Sequence, residues 1–276
     1  MKIKEALIEG RDYLKKLEYT DPIYETRRIL SDLLNKDLSY LVSHDDDLLD
    51  LKLEKKYFEI LEKRKKGIPL QYIFGEEDFY GRTFKVIEDV LIPRQDTEIS
   101  VEKILNIIEN NPIQKMLEIG CGTGIVSISV DLESSVNVTA LDISEKAIEN
   151  TKINKEKLNS KIKIIKSDLF SKVNEKFDLI YSNPPYIKSN ELEKLQVEVK
   201  DYEPRLALDG GEDGLFFYRS IIKSSLEFLN NKGFLVFEIG HDQAYDICNM
   251  MRDNYEIEVY KDLNNLDRVV VGQLKM

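Results

Sequence analysis

The sequence predicts an α/β protein: a seven-stranded, doubly wound and mostly parallel sheet, preceded by a small N-terminal helical bundle and a β-hairpin connector. Three observations support this architecture. Apolar residues recur at helical spacing over residues 1–75, a β-rich stretch with a glycine follows, and short apolar strands alternate with helices after residue 111. We therefore expect a helical domain over 1–75, a hairpin linker over 76–92 and a larger α/β domain over 93–276.

The bulk composition narrows the class of protein. Of the 276 residues, 42% are hydrophobic and 33% charged, and no segment approaches the roughly 20 apolar residues of a membrane span. Charged residues interrupt the apolar ones in Met1–Leu17, so we expect no signal peptide. Cys121 and Cys248 lie far apart and only two histidines are present, so we expect no metal site, no disulfide framework and a cytoplasmic location.

The charge balance bears on the kind of partner. A net charge of −11 argues against stable nucleic-acid binding, because neutralising phosphates supplies most of the affinity for nucleic acids. The one basic run, Lys63–Lys66, has two interpretations: a basic patch, or the last turn of a helix that Gly67 and Pro69 end. Cations at a helix C-terminus complement its dipole, so the second interpretation is favoured.

Helical periodicity fills the N-terminal part of the chain. The first helix is indicated by one apolar stripe, formed by Ile3, Leu7, Gly10, Leu14 and Leu17. Three further helices are expected: one capped by Asp21-Pro22 and running through Leu33 and Leu34, a short one over Leu38–Val42, and one over about Leu48–Lys66. This bundle shows no evident catalytic residue.

A hairpin is predicted to follow the bundle. Phe79–Ile87 is rich in β-forming residues, and Gly81 stands near the expected turn. The segment Leu91–Glu98 leads from it into a helix expected over Glu98–Ile108.

The remaining chain predicts the sheet. Strands are expected at Met116–Ile119, Val136–Leu141, Ile162–Ile165, Leu179–Ser182 and Phe234–Ile239, with helices at about Thr123–Leu132, Glu145–Leu158 and Leu215–Leu229. Such alternation is typical of a parallel sheet with helices on both faces. The tail differs, because Tyr255–Tyr260 and Arg268–Val271 are joined by a short polar loop, which predicts an antiparallel pair at the sheet edge.

A glycine-rich loop comes directly after the first of these strands. Its sequence is Gly120-Cys121-Gly122-Thr123-Gly124, and an apolar helix follows. Glycines permit a sharp turn and a close approach of a ligand, while the helix N-terminus offers free N–H groups. A dinucleotide fingerprint needs a further glycine where Ile125 stands, and no Lys-Ser/Thr pair of a P-loop follows. The spacing is instead typical of folds that bind adenosylmethionine.

Acidic residues end the next two strands. Asp142 stands twenty residues after Gly122, where a carboxylate accepts hydrogen bonds from ribose hydroxyls; the alternative is a helix N-cap. Asp168 ends the third strand, where it is a candidate acceptor for an adenine amino group, with Leu169 as an apolar wall; the alternative is a turn-forming residue. All these residues lie at the C-terminal ends of neighbouring strands, where open α/β sheets bind ligands.

The segment Asn183-Pro184-Pro185-Tyr186 ends the fourth strand. Proline has no N–H, so this stretch of backbone can only accept hydrogen bonds. The side-chain oxygen of Asn183 and the carbonyl of Pro184 are therefore candidates to hold both hydrogens of a planar –NH₂ group, as a methyltransferase acting on an amide or aromatic amine requires. The alternative is a rigid turn after a strand.

Several segments together resemble a known family, the release-factor glutamine methyltransferases, within the Rossmann-like class I adenosylmethionine-dependent methyltransferases. The resemblance is carried by Pro69–Gly75, Phe79–Gly81, Leu91–Arg94 with Asp96–Glu98, Asn183–Ile187 and Tyr202–Gly214. It covers essentially the whole chain, with one departure at Gln95, where a proline or a similar residue is expected.

The resemblance implies an activity and a set of roles. The methyl group of S-adenosylmethionine goes to the side-chain amide nitrogen of the glutamine in the Gly-Gly-Gln motif of bacterial release factors, and the helical bundle docks the protein substrate. Asn183 and Pro184 grip the amide, Pro185 and Tyr186 line the substrate site, and the ring of Tyr186 packs against the glutamine side chain. Asn183 also borders the cofactor, and we expect a monomer.

Three other functions remain open at this stage. An adenine-N6 nucleic-acid methyltransferase grips its exocyclic amine with the same motif, but it usually adds a basic recognition region and flips a base. A methyltransferase for a glutamine of another protein, such as a ribosomal protein, differs only in its docking surface. A binding module with a degenerate pocket is disfavoured, because the glycine loop, Asp142 and the Asn-Pro-Pro-Tyr segment are all intact.

Overall fold

The computed structural model describes residues 1–17 and 19–276. The helices are α1 Ile3–Leu14, α2 Pro22–Leu34, α3 Leu38–Ser43, α4 Leu51–Lys65, α5 Leu70–Phe74, α6 Thr97–Asn110, α7 Ile125–Glu133, α8 Glu145–Leu158, α9 Val197–Lys200, α10 Phe216–Phe228 and α11 Ala244–Met251. The strands are β1 Glu76–Phe79, β2 Arg82–Lys85, β3 Lys115–Ile119, β4 Asn137–Asp142, β5 Lys163–Lys166, β6 Phe177–Ser182, β7 Leu229–Glu238, β8 Tyr255–Lys261 and β9 Asp267–Leu274. The chain divides into two compact units, Met1–Phe74 with Leu195–Tyr202, and Gly75–Lys194 with Glu203–Met276.

The first unit is helical, as its periodicity predicts. The Asp21 side chain caps α2 by accepting hydrogen bonds from the N–H groups of Ile23 and Tyr24, each at 3.1 Å. Helix α4 begins at Leu51, three residues later than predicted, because the carboxylate of Asp50 caps it there. The core of this unit is apolar and lies between α1, α2, α3 and α4.

The basic run at the end of α4 is the last turn of a helix, as predicted, but its four residues are not equivalent. The side chain of Arg64 is buried, and it pairs with Glu25 at 2.7 Å and with Glu198 at 2.5 Å. Glu198 comes from α9, far away in sequence, and belongs to the same compact unit. Lys63 and Lys65 are exposed. One residue of the run, Arg64, therefore forms internal ion pairs, while Lys63 and Lys65 face solvent.

The second unit opens with the predicted hairpin. Strands β1 and β2 pair antiparallel, with Phe79 opposite Arg82. The two turn residues, Tyr80 and Gly81, both have positive φ angles, of 49° and 70°. Two consecutive left-handed residues form the turn type that matches the twist of a hairpin.

The seven-stranded sheet is confirmed, with strand order β5-β4-β3-β6-β7-β9-β8. The first five strands are parallel, while β9 lies antiparallel between β7 and β8. Alternate residues of β3 face opposite layers: Met116 packs with α6 and α7, and Leu117 packs in the layer that contains α10 and α11. Helix α11 is absent from the sequence-based expectation, because its eight residues follow no strong capping signal.

The strand order reverses between β3 and β6. Ile119 at the end of β3 lies beside Ser182 at the end of β6. In open α/β sheets, ligands bind outside the carboxyl ends of the strands at such a reversal. The glycine loop after β3 and the Asn-Pro-Pro-Tyr segment after β6 therefore emerge side by side.

Among the residues that the structure describes, no helix is long and apolar enough to cross a membrane. The same residues contain no group of three or more His, Cys, Asp or Glu side chains that could hold a metal ion.

Candidate active site

The glycine-rich loop turns sharply between β3 and α7. Gly120, Gly122 and Gly124 have φ angles of 75°, 55° and 81°, a region that side-chain-bearing residues rarely adopt. The N–H groups of Gly120 and Cys121 donate to the Leu141 carbonyl at 2.8 and 3.0 Å, which fastens the loop to β4. A Cβ on Gly120 or Gly122 would meet nothing within 4 Å, so these two glycines border open space.

Each loop residue has its own surroundings. Gly120 and Gly122 line a cavity of about 180 Å³, and Cys121 and Thr123 line a smaller adjoining cavity. The Cys121 side chain is buried, and its Sγ lies 3.4 Å from the hydroxyl of Thr151. Gly124 lines neither cavity; it is the N-cap of α7, and a Cβ at this position would lie 2.8 Å from the Thr151 side chain.

Asp142 stands at the end of β4 and lines the larger cavity. Its carboxylate accepts hydrogen bonds from the N–H of Gly122 at 3.0 Å and from the N–H of Ser144 at 2.8 Å. Burial raises the pKa of this carboxyl, and the backbone hydrogen bonds act in the opposite direction. The N-cap of α8 is Ser144, whose hydroxyl accepts from Ala147, so the N-cap interpretation of Asp142 is wrong.

Asp168 and Leu169 lie one strand further along, after β5, and both line the larger cavity. Asp168 is exposed and Leu169 is half-buried. Leu169 has a φ angle of 42°, and its carbonyl accepts a hydrogen bond from the Ser167 hydroxyl at 2.8 Å. The structure therefore brings both residues to the cavity that Asp142 and the glycine loop share.

The Asn-Pro-Pro-Tyr segment forms another wall of this cavity. Asn183, Pro184 and Pro185 line it, and Asn183 also lines the smaller cavity beside the glycine loop. Tyr186 lines neither cavity: its ring packs against the apolar layer that contains α10 and α11, and burial raises the pKa of its hydroxyl. Its backbone carbonyl accepts a hydrogen bond from Gln243 at 3.1 Å.

Sequence reasoning did not single out several residues of the site. Glu118, the last residue but one of β3, lines the smaller cavity and is buried with 3% of its surface exposed. Its carboxyl group accepts from the N–H of Ser127 at 2.8 Å and also from the Ser127 hydroxyl. Burial raises the pKa of Glu118 to about 8. A glutamate between the apolar residues Leu117 and Ile119 was the available signal.

Arg94 is a second residue of the smaller cavity that the sequence did not assign. Its guanidinium lies 2.5 Å from the carboxylate of Glu203. The segment after Glu203 contributes Pro204, Leu206 and Ala207 to the wall of the larger cavity. The segment Tyr202–Gly214 therefore reaches the site through its first half.

The arrangement suits one kind of chemistry. Asp142, Asp168 and two glycines of the loop line the same cavity as Asn183 and Pro184, which offer two oxygen acceptors, a side-chain amide oxygen and a backbone carbonyl. Such a pair can hold the hydrogens of an –NH₂ group against a ligand bound along the glycine loop.

Comparisons with known proteins give matches over nearly the whole chain. The family model described as the Methyltransferase small domain matches residues 95–200, and the PrmC N-terminal domain model matches residues 5–75. The chain is 41% identical to the release factor glutamine methyltransferase of Clostridium acetobutylicum, over 99% of this chain and 98% of the relative. It is 44% identical to the protein of the same name from Fusobacterium nucleatum, over 95% of this chain and 76% of the relative.

The fold also has known counterparts. A methyltransferase from Pyrococcus furiosus superposes with a TM-score of 0.54 at 18% identity, covering 71% of this chain and 91% of that one. This likeness concerns the fold alone.

Proposed function

This chain belongs to the release factor glutamine methyltransferase family, and we propose that it methylates the side-chain amide nitrogen of the glutamine in the Gly-Gly-Gln motif of peptide chain release factors, with S-adenosylmethionine as methyl donor. One observation carries the proposal. Asn183 and Pro184 line the same cavity as the glycine loop and Asp142. An amide gripped by the first pair would thus share this cavity with a cofactor held by the second.

The residues present fit S-adenosylmethionine. Gly120 and Gly122 offer a backbone that a ligand can approach without meeting a side chain. Asp142 would accept from the ribose hydroxyls, Asp168 would accept from the adenine amino group, and Leu169 would pack against the adenine ring. When bound, this cofactor supplies an electrophilic methyl group attached to a sulfonium sulfur.

The residues of the chain then have to align the substrate amide nitrogen with the methyl group. An amide nitrogen is a weak nucleophile because its lone pair is delocalised into the carbonyl. Asn183 Oδ1 and the Pro184 carbonyl would accept its two hydrogens and hold the nitrogen in line with the bond to be broken. The same acceptors favour the positive charge that develops on the nitrogen. We assign no general base, because an N-alkylated, protonated amide loses its proton readily to water.

The proposal also covers how the protein substrate docks, where the enzyme is located and whether it is monomeric. The helical unit, which the PrmC N-terminal domain model matches, would dock the release factor. We propose that the enzyme is a cytoplasmic monomer that does not bind nucleic acid stably, in keeping with its net charge of −11.

The test is methyl transfer from labelled S-adenosylmethionine to a purified release factor. The matched substrates are the same factor with its Gly-Gly-Gln glutamine replaced by alanine, and duplex DNA with accessible adenines. Label on the native factor alone is the expected result. Label on DNA with none on protein would mean that the cavity grips an adenine amine instead.

A further inference from the structure

The Asn-Pro-Pro-Tyr segment is anchored firmly at its first end. Ser182, the last residue of β6, pairs with Ile119 on one side and Phe237 on the other. Its hydroxyl donates to the Ile119 carbonyl at 2.8 Å. The next anchor cannot come from donors of Pro184 or Pro185, because proline has no N–H. The position of the segment therefore also depends on what holds its far end.

Gln243 holds that far end. Its side chain is buried, with 5% of the residue exposed. Its Nε2 donates to the carbonyl oxygens of Tyr186 and Gly214, each at 3.1 Å, and its Oε1 accepts from the N–H of Gly240 at 3.0 Å. One amide thus uses both of its hydrogens and its oxygen to tie together three separate segments of the chain.

The segment before Gly214 runs beside the same stretch of backbone. The N–H of Ile187 donates to the Leu208 carbonyl at 3.0 Å, and the N–H of Gly210 donates to the Ile187 carbonyl at 2.8 Å. A Cβ on Gly210 would lie 2.7 Å from the Pro185 carbonyl oxygen, and one on Gly214 would lie 2.4 Å from that of Tyr186. These two glycines therefore let the chain approach closely enough for Gln243 to reach both carbonyls.

We propose that Gln243 is a positioning residue for methyl transfer, acting through the Tyr186 carbonyl on the orientation of the amide-gripping pair, Asn183 and Pro184; this inference rests on the proposed function. The two prolines fix φ near −65°, so the direction of the Pro184 carbonyl is set mainly by where the two ends of the segment are held. Without the Gln243 hydrogen bond, the far end is held only by the backbone hydrogen bonds of Ile187, and the segment with its two acceptors can shift relative to the strand end. A displacement of about 1 Å at a reacting group costs on the order of 100-fold in rate.

The replacement Gln243→Glu tests this inference with nearly unchanged volume. It keeps an acceptor for Gly240 but replaces the amide donor by an oxygen that faces two carbonyls. We expect kcat, expressed per cofactor-binding site, to fall about 10- to 100-fold, with the Kd for S-adenosylmethionine within about twofold of the native value. The cofactor affinity is preserved because the glycine loop and Asp142 belong to other strands. In Gly214→Ala the added Cβ would lie 2.4 Å from the same carbonyl oxygen and 2.9 Å from Gln243 Nε2, so this variant should also lower kcat while preserving the Kd for the cofactor.

A buried hydrogen bond outside the site supplies the control. The Ser225 hydroxyl lies 2.7 Å from the Tyr255 hydroxyl, and neither residue lines the cavities described above. Ser225→Ala should lower the melting temperature while kcat per site stays unchanged. If Ser225→Ala loses as much stability as Gln243→Glu and its kcat falls by the same factor, the inference is overturned. Unchanged kcat in Gln243→Glu would overturn it as well.

A second measurement separates this inference from the proposed function. Absence of transfer by the native enzyme would refute the function alone. Amide hydrogen exchange at Ile187 does not depend on activity, and we expect it to be faster in Gln243→Glu than in the native protein and in Ser225→Ala. Equal exchange in the three proteins would show that Gln243 does not hold this segment, whatever the substrate.

Discussion

The carboxylate of Asp142 accepts a hydrogen bond from the N–H of Gly122 at 3.0 Å, which joins the end of β4 to the middle of the glycine loop. The same side chain lines the cavity, where it is the proposed acceptor for ribose hydroxyls. One carboxylate therefore shapes the loop and, in the proposed function, has a second task as a ligand of the cofactor ribose.

The first prediction follows from these two tasks. In Asp142→Asn, one of the two oxygens becomes a donor, so the side chain can no longer accept from both Gly122 and Ser144. Because hydrogen bonds to a charged group contribute about 1.5–3 kcal/mol, we expect the Kd for S-adenosylmethionine to rise about 10- to 100-fold. Isothermal titration calorimetry measures it.

The control for this variant is Glu145→Gln. Glu145 is the next carboxylate along the chain, is exposed, and pairs with Lys166 at the surface. Its replacement should leave the Kd unchanged. An unchanged Kd in Asp142→Asn would remove this residue from the cofactor site.

The second prediction concerns Asn183. Its replacement by alanine removes one of the two proposed acceptors of the substrate amide, and we expect kcat to fall about 100- to 1000-fold, as when one oriented polar group is removed from an active site. The Kd for the cofactor should change by less than about fivefold, because the glycine loop and Asp142 remain. Single-turnover transfer to the release factor measures the effect.

An exposed asparagine later in the same loop serves as the comparison. Asn190 lines neither cavity, and Asn190→Ala should retain the native kcat. If Asn183→Ala loses no more activity than Asn190→Ala, the amide is held by other groups.

The third prediction is a pH dependence of stability caused by Glu118. Burial raises its pKa from 4.5 to about 8 in the folded protein, although Ser127 donates to it. Between these two values the folded state binds more protons at this group than the unfolded state does. The contribution of Glu118 to the free energy of unfolding is therefore fully present below about pH 4.5 and is lost as the pH rises to about 8.

The variant Glu118→Gln isolates this contribution, because an amide does not titrate. Urea unfolding at several pH values between 5 and 9 should show native stability falling relative to Glu118→Gln as the pH rises. The informative quantity is the difference in free energy of unfolding between the two proteins at each pH. Burial also raises the pKa of Glu238, to about 7, and this group lowers stability with rising pH in both proteins alike. Parallel stability curves would mean that Glu118 titrates alike in the folded and unfolded states.

The fourth prediction concerns the first unit. Arg64 is 2% exposed and pairs with both Glu25 and Glu198. Removing one partner of a buried ion pair leaves an uncompensated charge, so Arg64→Ala should lower the free energy of unfolding by about 3–5 kcal/mol. Lys63→Ala, on the same turn but exposed, should change it by less than about 0.5 kcal/mol. Equal losses in the two variants would contradict a structural role for the buried pair.

Much of the fold could be predicted because its signals are local. Strands and helices alternate along the chain, and the cap formed by Asp21 and the turn at Gly81 depend on neighbouring residues alone. The order of strands at the sheet edge, with β9 between β7 and β8, depends on pairing between distant segments. Glu198 likewise joins the first unit from a place far along the chain.

In the candidate site, too, some features follow from local sequence and others only from contacts between distant segments. The glycine loop, Asp142 and Asn183 carry recognisable patterns, and the fold brings them to one cavity. Gln243 has no such pattern, since its partners are backbone carbonyls that meet only in the folded chain. Glu118 was visible as a charge between Leu117 and Ile119, but its environment and raised pKa depend on burial and on the contact with α7.

The most direct test of the central claim is to locate the transferred methyl group. A purified release factor is incubated with the native enzyme and S-adenosylmethionine, digested, and sequenced by tandem mass spectrometry. We predict one added methyl group on the side chain of the Gly-Gly-Gln glutamine, formed about 100- to 1000-fold more slowly when Asn183→Ala replaces the native enzyme. A methyl group on any other residue, or an unmodified glutamine beside a methylated adenine in added DNA, would contradict the account.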